Sequence, residues 1–470
     1  MADPLPAVAD LTALLGQDRV IPAGRRVSKY LRDFSWYSPI LESELADATV
    51  AAVALPETVD ELREVVALAA RHRVPVTMRG AGTGNYGQSL PLEHGIVVDI
   101  RGVAGVESVA DGRVAVLPGT RMKDIEEAAR RTGQELAVMP STYRVATAAG
   151  FISGGSGGLG AAAHGDLWNN NVLGVDIITV EEEPRLLHLS GAQVNAVLHT
   201  YGTVGVIVKI EMRLVPAHHY GQYCVSFDSF DECAQFGWEV VEAHDIHARL
   251  ASVHQAPLGA MMTPIAHLFS PAAHVALIWA DREQEANLRA LVDRRHGALE
   301  VWPEGVKDIT QFPFSHSILW SRKAHPASSW LQCEYSTDGL AAMLTQIAEI
   351  SDRYPGVFLQ HIELIRSPRG TVRALGIPAL VGLPNHGEAL DDLISFASRI
   401  GMHVLNPHSF VVEEGGFVGD TEYMLELKRT CDPYSILNPG KLGSSFFEAR
   451  AVRSGVPAER TIVAPENVAT

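Results

Sequence analysis

A glycine-rich loop between two short apolar runs is the feature that most constrains this chain. The sequence from Val74 to Ile100 has glycines at positions 80, 82, 84 and 87, between segments rich in β-branched residues. Glycine allows backbone conformations that bring several N–H groups close to one anion. The stretch therefore predicts a strand, a phosphate-binding nest and a second strand.

The same loop also matches the dinucleotide fingerprint of nicotinamide enzymes, through Gly82-x-Gly84-x-x-Gly87. That fingerprint requires a helix to begin directly after the glycines, and residues 88–91 read Gln-Ser-Leu-Pro instead. The nicotinamide interpretation therefore fails on context. A glycine-rich hairpin without any ligand remains the alternative for this loop taken alone.

A second loop, at residues 139–160, makes a dinucleotide ligand more plausible than an empty hairpin. It has small residues at most positions where a backbone would have to lie against a flat or charged ligand. Two anion-binding loops in one region suit a dinucleotide with two phosphates.

Four segments together resemble the FAD-binding signature of the vanillyl-alcohol oxidase and p-cresol methylhydroxylase superfamily. They are Arg79–Thr83, the loop from Ala149 to Gly160, Tyr201–Ile207 and Asn438–Lys441, which follow one another in family order. The resemblance implies an α+β fold. It consists of a two-subdomain FAD-binding domain of the p-cresol methylhydroxylase type and an α/β cap domain with a large antiparallel sheet.

The pattern of predicted elements changes beyond Pro216, where strand, helix and strand units repeat. Such repeats favour an antiparallel sheet with helices on one face. We therefore expect an FAD-binding domain at residues 1–217 and a substrate or cap domain at residues 218–411. A C-terminal segment at residues 412–470 is expected to return to the FAD-binding domain.

The resemblance implies FAD as the cofactor, and we expect it to be bound without a covalent link. Many relatives attach the flavin through a histidine in the first loop or a cysteine in the second, whereas Thr83 takes the first position here and the second loop has no cysteine. The first loop is expected to bind the pyrophosphate. The resemblance also implies that Asn438 and Lys441 approach the flavin ring, and a helix-ending turn is the alternative role of these two residues. The predicted cofactor residues are Arg79, Gly80, Ala81, Gly82, Thr83, Gly84, Gln88, Ser89, Pro118, Gly119, Pro140, Ser141, Thr142, Thr147, Ala149, Gly150, Ile152, Gly154, Gly157, Gly160, Val206, Ile207, Asn438 and Lys441.

The substrate side resembles the branch of D-lactate and glycolate dehydrogenases, but without the metal motif of that branch. The corresponding strand, residues 373–381, contains no histidine, so we expect no metal. The Glu-His pair of the branch reads Pro407-His408, which makes His408 the leading candidate for a general base. A structural histidine bound to a carbonyl group is the alternative.

Three further residues are catalytic candidates. His361 and Glu363 occupy alternate positions and would share one face of a strand, either as a catalytic dyad or as part of a hydrated sheet face. Arg322 lies in a segment that resembles the family's Trp-x-x-Arg stretch, and its guanidinium could bind a substrate carboxylate in bidentate fashion. A surface arginine paired with an acid is the alternative.

Charge and cysteine content limit the partners and the compartment. The formal net charge is −17, which argues against nucleic acid, because affinity for a phosphate backbone depends on basic patches. The four cysteines are scattered, the N-terminal residues lack a basic signal region, and no apolar run is long enough to span a membrane. We therefore expect a cytoplasmic protein; homo-oligomerisation stays open.

The leading hypothesis is oxidation of an alcohol, or of a 2-hydroxy acid, by hydride transfer to N5 of FAD. The partners would be a small-molecule substrate and an electron acceptor, with oxygen, a quinone and a flavoprotein all left open. One alternative is an oxidase of phenolic or natural-product alcohols or amines on the same fold. Another is a flavin-binding subunit without catalysis of its own.

Overall fold

The computed structural model describes residues 5–383, 388–415 and 421–442. Within the predicted C-terminal segment, residues 416–420 and 443–470 lie outside these ranges. The observed architecture is α+β, as predicted, with small and large sheets covered by helices.

Two sheets form the first part of the chain. The helices are α1 Leu5–Leu15, α2 Pro39–Glu44, α3 Val59–His72, α4 Met122–Arg130, α5 Ala148–Gly154 and α6 Ala161–His164. The strands are β1 Val20–Pro22, β2 Val50–Ala54, β3 Val76–Arg79, β4 Gly95–Asp99, β5 Val106–Ala110, β6 Arg113–Val116, β7 Gln134–Leu136, β8 Val172–Ile178, β9 Leu186–Ser190 and β10 Val206–Pro216.

The first sheet has the order β1-β2-β4-β3, in which β2, β4 and β3 run parallel. Every residue of β2 and β4 is buried, as expected for parallel strands covered on both faces. The helix α3 connects β2 to β3, and its Thr58 cap accepts a hydrogen bond from the Glu61 N–H. The second sheet is antiparallel, with the order β5-β6-β10-β8-β9, and β7 pairs with β10.

The part of the chain that was predicted as the cap, residues 218–411, contains the largest sheet among the described residues and is called the cap below. The strands of the cap are β11 Tyr220–Phe227, β12 Ala248–His254, β13 His274–Asp281, β14 Ala298–Val301, β15 Ser329–Trp330, β16 Gln332–Glu334, β17 Phe358–Leu359, β18 His361–Arg366, β19 Val372–Gly376, β20 Ala379–Leu380 and β21 His403–Leu405. Three of these strands form a separate sheet with the order β15-β20-β17. The helices are α7 Phe230–Glu242, α8 Leu258–Met261, α9 Glu285–Arg294, α10 Ser315–Ala324, α11 Leu340–Arg353 and α12 Glu388–Arg399. The eight-stranded order is β14-β11-β13-β12-β18-β19-β16-β21, and its neighbouring strands pair antiparallel.

Residues 421–442 return to the first sheet. After α13, Thr421–Cys431, the backbone at Leu437 runs parallel to β3, and the Asn438 N–H donates to the Val76 carbonyl over 2.6 Å. Residues that are far apart in sequence therefore meet beneath the first glycine loop.

A buried ion network joins the cap to the first part of the chain. Arg249 of β12 places Nη1 2.9 Å from Oε1 of Glu126 in α4 and 3.6 Å from Oε2 of Glu135 in β7. All three side chains are almost completely buried. Arg130, which is partly exposed, also pairs with both carboxylates, so loss of Arg249 would leave them with one partly solvated cation as partner.

We expect Arg249→Met to lower the free energy of unfolding by about 1–3 kcal/mol, because two buried carboxylates lose their buried partner and keep only Arg130. The midpoint of urea unfolding measures this change. Arg289→Met, which removes a half-exposed pair with Glu285 within α9, is the matched control and should cost less than about 1 kcal/mol. Equal shifts for the two variants would contradict a special role for Arg249.

Candidate functional site

A cleft with about 1000 Å³ of open space lies between the first glycine loop and the loop that leads into α5. Short loops and small residues form most of its wall, so that backbone rather than long side chains faces the cavity. The lining residues are Met78, Arg79, Gly80, Ala81, Gly82, Thr83, Gly84, Asn85, Gln88, Ser89, Ile100, Pro140, Thr142, Ala146, Thr147, Ala149, Gly150, Phe151, Ser153, Gly154, Gly155, Tyr201, Gly202, Gly205, Val206 and Ile207.

The first loop presents a run of unpaired backbone donors. No atom of the described residues accepts a hydrogen bond from the N–H groups of residues 80–84. Backbone donors near the interior normally have a partner, so five consecutive open ones indicate a site for an external acceptor. A phosphate oxygen meets this requirement.

Buried side chains hold the loop from beneath. The Arg79 guanidinium donates to the Ser89 hydroxyl over 3.0 Å and to the Arg32 carbonyl over 2.7 Å, and it lies 3.9 Å from the Asp33 carboxylate. The Phe34 N–H donates to the Gly82 carbonyl over 2.7 Å. The Gly82 carbonyl therefore points toward the protein, while the N–H groups of residues 80–84 have no acceptor among the described residues.

The two loops approach each other so closely that position 80 requires glycine. A Cβ atom at Gly80 would lie 2.2 Å from Oγ1 of Thr147. Thr147 is fixed as the cap of α5, because its hydroxyl accepts a hydrogen bond from the Gly150 N–H over 3.3 Å. The predicted pairing of the two loops around one cleft is therefore present.

Most of the predicted cofactor residues line this cleft, although their contact with FAD stays a prediction. Eight of them do not line it: Pro118, Gly119, Ser141, Ile152, Gly157, Gly160, Asn438 and Lys441. Gly119 and Gly160 instead allow close backbone packing, because a Cβ at either one would lie 2.0 Å from a carbonyl oxygen. Several lining residues were not predicted. Two of them, Gly202 and Gly205, lie within the Tyr201–Ile207 segment that resembles the FAD-binding signature.

Asn438 and Lys441 lie under the first loop and do not line the cleft. The Asn438 amide donates to the carbonyls of Gln88 and Tyr201, over 3.0 and 2.6 Å. Lys441 is fully buried, and its ammonium donates to three carbonyls of residues 87–90. Burial lowers the pKa of Lys441 to about 7. Their direct approach to the flavin ring stays a prediction, whereas their hydrogen bonds fasten the loop.

His361 and Glu363 belong to a buried polar network on the inner face of the cap sheet. His361 Nε2 lies 2.7 Å from Glu363 Oε1, and the Ser252 hydroxyl donates to the same oxygen over 2.9 Å. The Phe314 N–H also donates to this oxygen, over 2.6 Å. Because His361 and Glu363 are 0% and 2% exposed, the alternative of a hydrated sheet face is wrong.

The helix α10 contacts both this network and the wall of the cleft, through two different serines. The Ser317 hydroxyl lies 2.6 Å from Nδ1 of His361, and Ser315, at the start of the same helix, accepts a hydrogen bond of 3.3 Å from the Asn85 amide. Asn85 lines the cleft. His254 stacks on His361 with ring centres 4.5 Å apart, and burial holds the pKa of His254 well below its usual value.

His408 lies apart from this network and does not line the cleft. Its Nε2 is 3.0 Å from the Trp330 carbonyl, and its Nδ1 has no partner among the described residues. Burial lowers the pKa of His408 to about 4, so the ring is neutral at pH 7. The carbonyl contact is the one expected of a structural histidine, and the role of base stays a proposal.

Arg322 is a half-buried cation on α10 beside the N-terminal segment. Its Nη1 donates to the Tyr37 carbonyl over 3.3 Å, and its guanidinium lies 5.5 Å from the centre of the Trp36 ring. Within the described chain no carboxylate lies within ion-pair distance of Arg322, so the alternative of an acid-paired surface arginine is wrong. Burial lowers its pKa.

The described residues contain neither a cluster of metal-binding side chains nor a helix that could span a membrane. No three side chains of histidine, cysteine, aspartate or glutamate are grouped there as a metal ion would require. None of the described helices has the length and apolar character needed to cross a membrane.

We expect Gly82→Ala to lower the affinity for FAD at least about tenfold. Gly82 has a φ of +68°, and a Cβ there would lie 2.2 Å from the Arg79 guanidinium. Gly112→Ala is the matched control, because Gly112 has a φ of +73° with no atom within 4 Å, so it carries the same backbone strain of about 1 kcal/mol without the collision. The measurement is FAD per chain in the supernatant after acid precipitation.

Equal losses of FAD in the two variants would show that backbone strain, and not the collision with Arg79, lowers the affinity for FAD. A yellow pellet from the parent protein would contradict the expectation of non-covalent FAD.

Comparison with known proteins agrees with this site. Residues 50–186 match the family model described as an FAD binding domain. The chain is similar to D-lactate dehydrogenase of Archaeoglobus fulgidus, with 31% identity over 35% of this chain and 38% of that protein. It is also similar to glycolate oxidase subunit GlcD of Bacillus subtilis, with 24% identity over 44% of this chain and 46% of that protein. The matched segments thus span less than half of either relative.

Solved structures share the whole fold at low identity. An alkyldihydroxyacetonephosphate synthase superposes with a TM-score of 0.70 and 15% identity, over 93% of this chain and 85% of that one. A substrate-bound p-cresol methylhydroxylase superposes with a TM-score of 0.67 and 14% identity, over 93% of this chain and 96% of that one. FAD is therefore the cofactor of this protein. The chain therefore contains an FAD binding domain at residues 50–186 and shares the fold of p-cresol methylhydroxylase.

Proposed function

We propose that this protein is an FAD-dependent oxidoreductase that oxidises the CH–OH group of a small molecule, with a 2-hydroxy acid as the favoured substrate. The observation that carries the proposal is the buried His361–Glu363 pair, which is connected through α10 to the wall of the FAD cleft. The relatives named as a D-lactate dehydrogenase and a glycolate oxidase subunit support the same type of reaction.

The residues of the cleft fit FAD in both shape and donor set. The open N–H groups of residues 80–84 would bind the pyrophosphate, while Thr142 and Thr147 would face it from the second loop. Val206 and Ile207 would contact the adenine end. Bound FAD supplies the acceptor for the hydride that leaves the carbinol carbon.

Alcohol oxidation also releases a proton, and the network around His361 can hold it. When the ring is doubly protonated, Nε2–H donates to Glu363 and Nδ1–H donates to the Ser317 hydroxyl, which in turn donates to the Phe314 carbonyl over 2.8 Å. Every donor then has an acceptor. Because the ring is fully buried, the proton would arrive through the Ser317 or Ser252 hydroxyl.

His408 is the competing base, and the sequence pattern favours it. At pH 7 its ring is neutral with Nδ1 available, but burial has lowered its pKa to about 4 and no carboxylate faces it in the contacts of the described chain. Glu363 pairs with His361 and would stabilise the imidazolium that forms when this ring takes up a proton. The hydrogen-bond geometry therefore favours His361 over His408.

Arg322 supports a carboxylate on the substrate. A half-buried guanidinium that forms no ion pair in the described chain, although the charge of Glu42 acts on it from farther away, is an electrostatic site for an anion. A 2-hydroxy acid offers that anion, whereas a simple or benzylic alcohol does not.

We expect anaerobic addition of the correct 2-hydroxy acid to bleach the flavin absorbance, and Arg322→Ala to raise the KM for that acid about 10- to 100-fold, since a charged hydrogen bond is lost. Stopped-flow absorbance with a panel of 2-hydroxy acids and benzylic alcohols measures both effects. Lys323→Ala, which changes the adjacent cation on α10, is the control. Bleaching by uncharged alcohols alone, unaffected by Arg322→Ala, would instead favour the oxidase of uncharged alcohols or amines.

We expect His361→Asn to lower the rate of flavin reduction at least about 100-fold while FAD content is unchanged, because the proton acceptor is removed. His408→Asn is the comparison variant and should reduce the flavin within about tenfold of the parent rate. A large loss in His408→Asn, with normal reduction in His361→Asn, would reverse the assignment. Absence of bleaching by every alcohol tested in the parent protein would refute the proposed function.

A further inference from the structure

The segment at residues 25–36 presents cations and aromatic rings to solvent beside the FAD-binding loops. We propose that this segment, named here the basic aromatic face, docks the protein on the surface of an anionic lipid bilayer. Peripheral docking of this kind is separate from the redox reaction and would hold whichever substrate is correct.

The charge of the face differs sharply from that of the whole chain. Arg25, Arg26, Lys29 and Arg32 are all exposed within eight residues, and no ion pair to a described carboxylate neutralises any of them. The complete chain has a formal net charge of −17. Acidic groups more than about 10 Å away are largely screened at physiological salt, so an approaching anionic surface would respond mainly to the local cations.

The backbone turns these cations outward. Residues Arg25–Tyr30 form a 3₁₀-helix in which Val27 and Tyr30, three positions apart, are buried. With three residues per turn, the remaining positions of that helix face solvent. The following residues alternate, with Asp33 buried and Arg32, Phe34 and Trp36 exposed.

Two aromatic rings project among the cations. Phe34 is 84% exposed and Trp36 is 44% exposed. Large aromatic side chains flanked by lysine and arginine are typical of segments that lie in the headgroup region of a membrane. The exposed rings and the four exposed cations form one continuous short segment, so a surface of anionic headgroups fits both the charge and the apolar character of this face.

The exposure of Phe34 follows from a fixed backbone. Its N–H donates to the Gly82 carbonyl over 2.7 Å, Arg79 donates to the Arg32 carbonyl over 2.7 Å, and the Tyr30 hydroxyl donates to Asp99 over 2.9 Å. These bonds hold the segment on the FAD-binding loops. The face would therefore present a constant geometry to a membrane.

The test is sedimentation of the FAD-loaded protein with vesicles of phosphatidylcholine alone and of phosphatidylcholine mixed with phosphatidylglycerol. We expect binding to the anionic vesicles only, and weaker binding at high salt. Arg25→Glu combined with Arg26→Glu should lower the partition coefficient at least tenfold, since each cation contributes about a fivefold gain. Phe34→Ser should lower it about tenfold.

Matched variants separate the face from general effects. Arg131→Glu combined with Arg294→Glu changes the net charge equally at exposed positions elsewhere, and Leu186→Ser removes another exposed apolar side chain. Both should bind as the parent does, and flavin absorbance per chain checks that every variant is folded. Absence of binding to anionic vesicles, including the outcome that an acidic protein binds this face instead, would overturn the proposal. Equal losses in the control variants would overturn it too.

Discussion

The hydrogen bonding of the first glycine loop is the constraint on which the rest of the structure depends. A loop that binds an anion through its N–H groups must have its carbonyls turned away and satisfied elsewhere. Here the carbonyls of residues 87–90 accept from Lys441 and Asn438, and the carbonyl of Gly82 accepts from the Phe34 N–H. The donors are about 400 residues apart in sequence, so the loop acquires its conformation only when both the segment around Phe34 and residues 438–441 pack against it.

This arrangement explains why a buried lysine is tolerated. An ammonium group in the interior is costly unless it is fully hydrogen bonded, and burial has lowered the pKa of Lys441 to about 7. Its three carbonyl partners supply the acceptors that water would otherwise provide. The positive charge of Lys441 and that of Arg79 both lie beneath the open N–H groups, where they add to the field that favours a diphosphate.

The cap contributes chemistry by burying polar groups against the FAD-binding part. One face of β12 and β18 carries serine, histidine and glutamate side chains, while the opposite face packs into the apolar core of the cap. The helix α10 closes over the polar face and satisfies it through Ser317 and the Phe314 N–H. Such a network is stable because nearly every member has a partner, and its connection to Asn85 places it next to the cleft. The unpartnered Nδ1 of His254 is the exception within it.

The sequence by itself determined the two glycine loops, because glycine spacing and strand patterns record local backbone requirements directly. The α+β class and FAD as the cofactor followed from the resemblance of four sequence segments to a flavoenzyme signature. Only the tertiary structure decided that Lys441 supports the loop from beneath, that His361 and Glu363 are buried and not hydrated, and that Arg322 has no acidic partner in the described chain. Period-two alternation shows which residues share a strand face but not what covers that face, because burial and ion pairing depend on elements distant in sequence, such as α10 and the 25–36 segment.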